Sequence, residues 1–126
     1  MRFEPKQPPR TFEVGFDKKG TISDCGSVYL EPDEQVSFVT EDGAEYDVTR
    51  KDWGFYAGPS LNGRLAQFGL RPVLVKNRVD RFFVLLVQRG KEDAFMSYVE
   101  GEPLTIVAWM DTTEALRSLQ ARIPNA

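Results

Sequence analysis

Histidine is absent from this chain of 126 residues, and cysteine occurs once, at Cys25. The first absence removes Ser-His-Asp and Cys-His nucleophile chemistry, imidazole zinc sites and a histidine pH switch. The second removes an intrachain disulfide and any CxxC redox or zinc motif. Long apolar runs are missing too. The longest, Phe82 to Val87, covers six residues, against about 20 for a membrane-spanning helix. Nor is there a basic excess: net charge is −3, whereas nucleic-acid affinity rests on clustered Lys and Arg. Neither a membrane nor a nucleic acid is therefore the expected partner. The opening MRFEPKQPPR has no apolar h-region and is broken by Pro5, Pro8 and Pro9, so it does not read as a signal peptide. A lone thiol without an export signal points to a bacterial cytoplasm. No metal site and no cofactor are expected.

What is present fits one globular domain. Apolar residues make up 41% of the chain and charged residues 28%, which supports a core without metal or disulfide staples. Charge is unevenly spread. Glu31 to Asp47 carries seven acids and no base, and Arg64 to Lys91 carries seven bases against Asp80 alone. Either the two segments face one another or solvate the surface, or the second half presents an anion-attracting face.

Periodicity divides the chain into short elements. Residues 1 to 10 read as an extended, proline-stiffened arm, followed by one α+β domain over residues 11 to 126. Phe12, Val14 and Phe16 alternate with polar positions, Asp17 to Gly20 reads as a turn, and Thr21 begins a return strand through Val28 and Leu30. Val36 and Phe38 alternate on one side of Glu41-Asp42-Gly43, Tyr46 and Val48 on the other. A two-residue Asp-Gly loop would set apolar side chains opposite polar ones. A three-residue loop with Gly43 at positive φ pairs Phe38 with Tyr46 and Val36 with Val48, and the buried face selects it. Trp53, Phe55 and Ala57 continue the alternation. Leu61, Leu65 and Phe68 form a short helical stripe, with Ser60 as N-cap and Gly69 as C′ residue. Val73 to Val75 and Phe82 to Gln88 read as strands, the second apolar on both faces and hence expected at the centre of a sheet. Ala94, Phe95, Tyr98 and Val99 mark a helix, and Leu104 to Met110 a buried strand. Asp111 and Glu114 suggest a capping box before a helix through Leu116, Leu119 and Ile123. The expected class is α+β: an antiparallel β-rich N-terminal half, a mixed β/α C-terminal half, and two or three helices.

Candidate chemistry gathers in one stretch. Gly58-Pro59-Ser60-Leu61-Asn62-Gly63-Arg64-Leu65 imitates a phosphate loop but puts Arg64 where that motif needs lysine and Leu65 where it needs a hydroxyl. What survives is a seat for one anionic group at a helix N-terminus near Ser60, with Arg50, Lys51 and Arg64 close in sequence. The run Arg50 to Ala57 is the densest aromatic and polar patch. Trp53 and Phe55 are core residues there, or else Trp53 or Tyr56 is a stacking platform for a sugar or base, with Asp52 and Arg50 as polar contacts. The candidate ligand-binding set is thus Arg50, Asp52, Trp53, Tyr56, Ser60, Asn62 and Arg64. Cys25 has no histidine to activate it and reads as a buried, inert thiol.

From Ser23-Asp24-Cys25-Gly26 through Glu31-Pro32-Asp33-Glu34-Gln35-Val36 to Asp52-Trp53-Gly54-Phe55-Tyr56 and Pro59-Ser60-Leu61-Asn62-Gly63-Arg64-Leu65, the chain resembles a family of short bacterial proteins of no established activity. Their genes accompany surface-polysaccharide biosynthesis. The resemblance covers most of the chain beyond residue 10 and implies sugar-related partners, without implying catalytic residues. The expectation is a non-catalytic binding or accessory protein for glycan assembly, taking an anionic or sugar-containing small molecule and pairing with a partner protein or a second copy. The alternative is a small metal-independent enzyme acting on a phosphorylated or nucleotide-linked sugar. In that case Asp52 and Tyr56 would supply acid–base groups and Arg64 would hold phosphate.

Overall fold

The structure, a computed structural model, describes residues 1–15 and 20–125. The expected turn at Asp17 and the alternation at Phe16 fall outside the described residues. Strands β1 (Arg2–Val14) and β2 (Gly20–Tyr29) form an antiparallel ribbon. Strands β3 (Gln35–Val39), β4 (Glu45–Lys51) and β5 (Gly54–Ala57) form a second antiparallel sheet in that order. After the single turn of α1 (Arg64–Gln67), β6 (Leu70–Lys76), β7 (Phe82–Gln88) and β8 (Thr105–Trp109) build a third sheet, ordered β7-β6-β8. Helix α2 (Glu92–Gly101) links β7 to β8, and α3 (Thr113–Ala121) ends the fold. The class is α+β. Among the described residues no helix is long and apolar enough to cross a membrane.

The β3–β4 hairpin has the expected register, with Val36 opposite Val48 and Phe38 opposite Tyr46. Thr40 N–H donates to the Ala44 carbonyl at 3.0 Å, which leaves Glu41, Asp42 and Gly43 as the loop. Gly43 takes φ +107°, a region that penalises any Cβ. The stripe of Leu61, Leu65 and Phe68 is inward-facing as expected, Leu65 fully buried, but residues 61–63 form turns, so α1 is shorter than the stripe. Gly69 follows it at φ +81° as the C′ residue.

Two small apolar clusters hold the molecule together. Ala44, Leu65 and Leu70 pack with Tyr46, Leu61 and Leu86, joining the second sheet to the third. Val73, Val75 and Val87 pack under α2 with Leu85, Phe95, Leu104, Ile106 and Trp109. Arg71 locks that end: its Nε reaches Asp111 at 2.7 Å, its Nη1 reaches Glu92 at 3.3 Å, and its guanidinium lies 4.1 Å over the Trp109 ring. Both carboxylates help hold its proton.

Residues 2 to 10 are extended, as expected, and make up the larger part of β1, which runs through to Val14 antiparallel to β2 with an irregularity between Pro5 and Arg10. Several expectations need correction. Strand β7 lies at the sheet edge and β6 at the centre, because β8 returns to the free side of β6. Phe82, Phe83 and Val84 are accordingly exposed. Strand β8 is only partly buried. Cys25 is exposed, since nothing backs the ribbon there. Helix α3 is capped by Thr112, whose side chain accepts the Ala115 N–H at 3.1 Å. Asp111 is drawn away to Arg71 instead.

Candidate functional site

Strand alternation gives the second sheet two unlike faces. Tyr46 and Val48 turn one way, towards the apolar side that meets Leu65. Glu45, Asp47 and Thr49 turn the other way, and so do their cross-strand partners Ser37, Gln35 and Tyr56. This second face is polar apart from Val39, the exposed partner of Glu45. Ser37 Oγ donates to Asp47 Oδ1 at 2.5 Å, and Thr49 Oγ1 donates to Gln35 Oε1 at 2.9 Å, so the side chains are fixed in mutual hydrogen bonds.

The chain after β5 folds back over one end of this face. Gly58, Pro59, Ser60 and Arg64 meet Gln35, Asp47, Thr49 and Tyr56 around a cleft of about 190 Å³. Gly58 is buried with φ +88°, and a Cβ there would strike the Tyr46 ring, so only glycine lets the chain pass this close. Ser60 Oγ accepts the Arg64 N–H at 2.9 Å, which leaves the hydroxyl hydrogen available to a ligand. The Arg64 guanidinium sits 5.3 Å over the Phe68 ring.

Charge is arranged across the cleft wall. Glu45 shares a hydrogen bond with Asp47, which lifts its pKa above the ordinary carboxylate value. Burial and the repulsion of Asp47 push the same way, and Arg64 opposes them. Glu45 therefore gives up its proton less readily than an ordinary glutamate. The acidic hairpin also meets the basic segment directly, through Arg64 beside Glu45 and through Lys91 Nζ at 3.9 Å from Asp42.

Of the seven residues singled out from the sequence, the cleft collects Tyr56, Ser60 and Arg64. Arg50 is turned away: its Nη1 donates to the Leu30 carbonyl at 2.7 Å and its Nε to the Lys51 carbonyl at 3.0 Å, pinning the β2–β3 connection. Asp52 and Trp53 form the tight turn between Lys51 and Gly54. Trp53 is 68% exposed there, neither in a core nor in the cleft, and Phe55 is also exposed. Asn62 Nδ2 donates to Thr113 Oγ1 at 3.0 Å, tying the loop to α3. The helix seat for an anion is lost, since α1 has a single turn. The Arg64 side chain remains as a positive group on the cleft wall. Gln35, Asp47 and Thr49 escaped notice. Their signal is the alternation that, for Asp47 and Thr49, placed Tyr46 and Val48 inside.

Three wider clefts of about 300, 340 and 410 Å³ border α2, lined mainly by apolar and small residues, with Tyr98 on all three. They offer few convergent polar groups. Among the described residues no three Asp, Glu, Cys or His side chains gather as a metal site. No family model, no curated protein and no solved structure matches this chain, so its function is read from geometry.

Proposed function

We propose that this protein is a non-catalytic binding protein of the bacterial cytoplasm, serving glycan assembly by holding a small sugar that carries an anionic group. The observation that carries this reading is the cleft itself. Carboxylate, amide and hydroxyl groups from Asp47, Gln35, Thr49 and Ser60 line it together with the Tyr56 phenol ring and the Arg64 guanidinium. Sugar hydroxyls need such fixed donors and acceptors, a ring face packs on an aromatic, and phosphate or carboxylate pairs with arginine. The volume suits one ring rather than a long oligosaccharide.

A thermal-shift screen of neutral hexoses, hexose phosphates and nucleotide sugars tests the reading. The phosphorylated compounds raise Tm by mass action, and Arg64→Ala abolishes that shift while leaving the ligand-free Tm within about two degrees. A flat screen removes the proposal.

The Glu45–Asp47 carboxyl pair favours the alternative. Two neighbouring carboxyl groups beside an arginine, one of them with a raised pKa, are suited to acid–base work on a phosphorylated or nucleotide-linked sugar, without a metal. Steady product formation from a nucleotide sugar, lost in Asp47→Asn, would replace the binding reading with this one.

A further inference from the structure

The ribbon β1–β2 raises a different question. Its register places Phe3, Phe12 and Val14 of β1 on the same face as Ile22 and Val28 of β2. Phe3 confirms the assignment, because its ring covers Gly26, within 2.7 Å of where a Cβ would stand. The opposite face carries Arg2, Glu4, Thr11, Glu13, Ser23 and Ser27, with Tyr29 under the Arg2 guanidinium. The apolar face meets α2 only through Val14, at a cleft, and among the described residues it joins neither core cluster. Phe3 is 52% exposed, and Phe12, Val14, Ile22 and Val28 lie between 39% and 44%. A lone two-stranded ribbon is at best marginally stable in water.

The surface area says how much cover is missing. The chain exposes 9020 Å², whereas a compact monomer of 14.3 kDa exposes about 6,800 Å². The surplus, about 2,200 Å² over the whole chain, is large enough to include what obligate dimers hide, on the order of 1,000 to 2,500 Å² per copy.

The layout of the apolar face says what fits it. At mid-length Asp24 is held by Lys6 and Arg10, each at 3.1 Å. Phe3 and Val28 lie on one side of this ion cluster, and Phe12 and Ile22 lie on the other. A surface ordered apolar, ionic, apolar matches itself after a half-turn. Phe3 and Val28 of one copy then meet Phe12 and Ile22 of the other, and each mixed-charge cluster meets its equivalent. We propose that the ribbon's apolar face is a homodimer interface, with a second copy of this chain packed against it about a two-fold axis near Asp24.

Sedimentation of the full protein tests this. The expected mass is twice 14.3 kDa at micromolar concentration. The pair Phe12→Glu and Ile22→Glu brings it to one chain, and Thr11→Glu on the polar face leaves the dimer intact. A disulfide probe covers the case in which the charged variant fails to fold. Asp24→Cys in a Cys25→Ser background crosslinks two chains on oxidation, whereas Cys25, on the opposite face, does not. A wild-type mass of one chain, a mass of an odd number of chains, or crosslinking through Cys25 alone overturns the proposal.

Discussion

The β1–β2 ribbon and the β3–β4–β5 sheet are written in the same code and end in opposite situations. Each alternates apolar and polar side chains, so each has one greasy and one wet face. In the sheet, Tyr46 packs with Leu61, Leu65 and Leu70, and the wet face is left free to hold Asp47, Thr49 and Tyr56 around a cleft. In the ribbon neither Phe12 nor Ile22 joins a core cluster of the described residues, and both stay exposed. Alternation therefore fixes what a strand offers on each side. Which side becomes a core, an interface or a site depends on what the rest of the chain brings to it.

The largest break in that comparison comes from cutting the cover. Leu65→Ala removes a fully buried side chain beneath the sheet, and chemical denaturation should show a loss of about 2–5 kcal/mol. Ile22→Ala on the ribbon should cost less than about 1 kcal/mol at dilutions where copies separate, and more as concentration rises. Equal losses at both positions, independent of concentration, would erase the contrast.

A smaller effect sharpens the account of the hairpin. Gly43→Ala meets open space but must take φ +107°, so it should destabilise by about 1 kcal/mol, through the backbone alone. Gly20→Ala, in the ribbon and with no such φ, should change stability by less than about 0.5 kcal/mol.

The smallest effect is a pH dependence in the wet face. Glu45 has its pKa raised in the folded chain, chiefly by the hydrogen bond shared with Asp47. Folding therefore favours the protonated pair. That contribution is complete below the unfolded carboxylate pKa and is lost as pH rises through the folded value. Asp47→Asn should flatten the decline on the alkaline side of that window. An unchanged profile in denaturation at a series of pH values would show that Asp47 does not raise the Glu45 pKa.

Much of the fold was legible because local rules decided it. Cross-strand matching of Val36 with Val48 and Phe38 with Tyr46 gave the hairpin register, and Glu92, Asp93, Phe95 and Val99 gave α2. Strand order was not legible. Phe82 to Gln88 is apolar on both faces and reads as central, yet β6 takes the middle although it contains Pro72. The Pro72 carbonyl accepts from Met110 N–H at 2.9 Å on the β8 side, and the missing N–H faces that same side, beyond the last β8 pair at Val73–Trp109. The site was half legible for a related reason. Tyr56, Ser60 and Arg64 are close in sequence and in space, whereas Asp52 and Trp53 are spent on a turn and Arg50 on the Leu30 carbonyl. Gln35 and Asp47 arrive from neighbouring strands, which no local pattern ties to Arg64.

The binding reading is tested most directly by titrating a hexose phosphate into isotope-labelled full-length protein and following the backbone amide resonances. The account predicts saturable shifts at Asp47, Thr49, Tyr56, Ser60 and Arg64, with the ribbon strands unmoved. Shifts confined to the ribbon or to the α2 clefts, or no shift at saturating concentration, would contradict it.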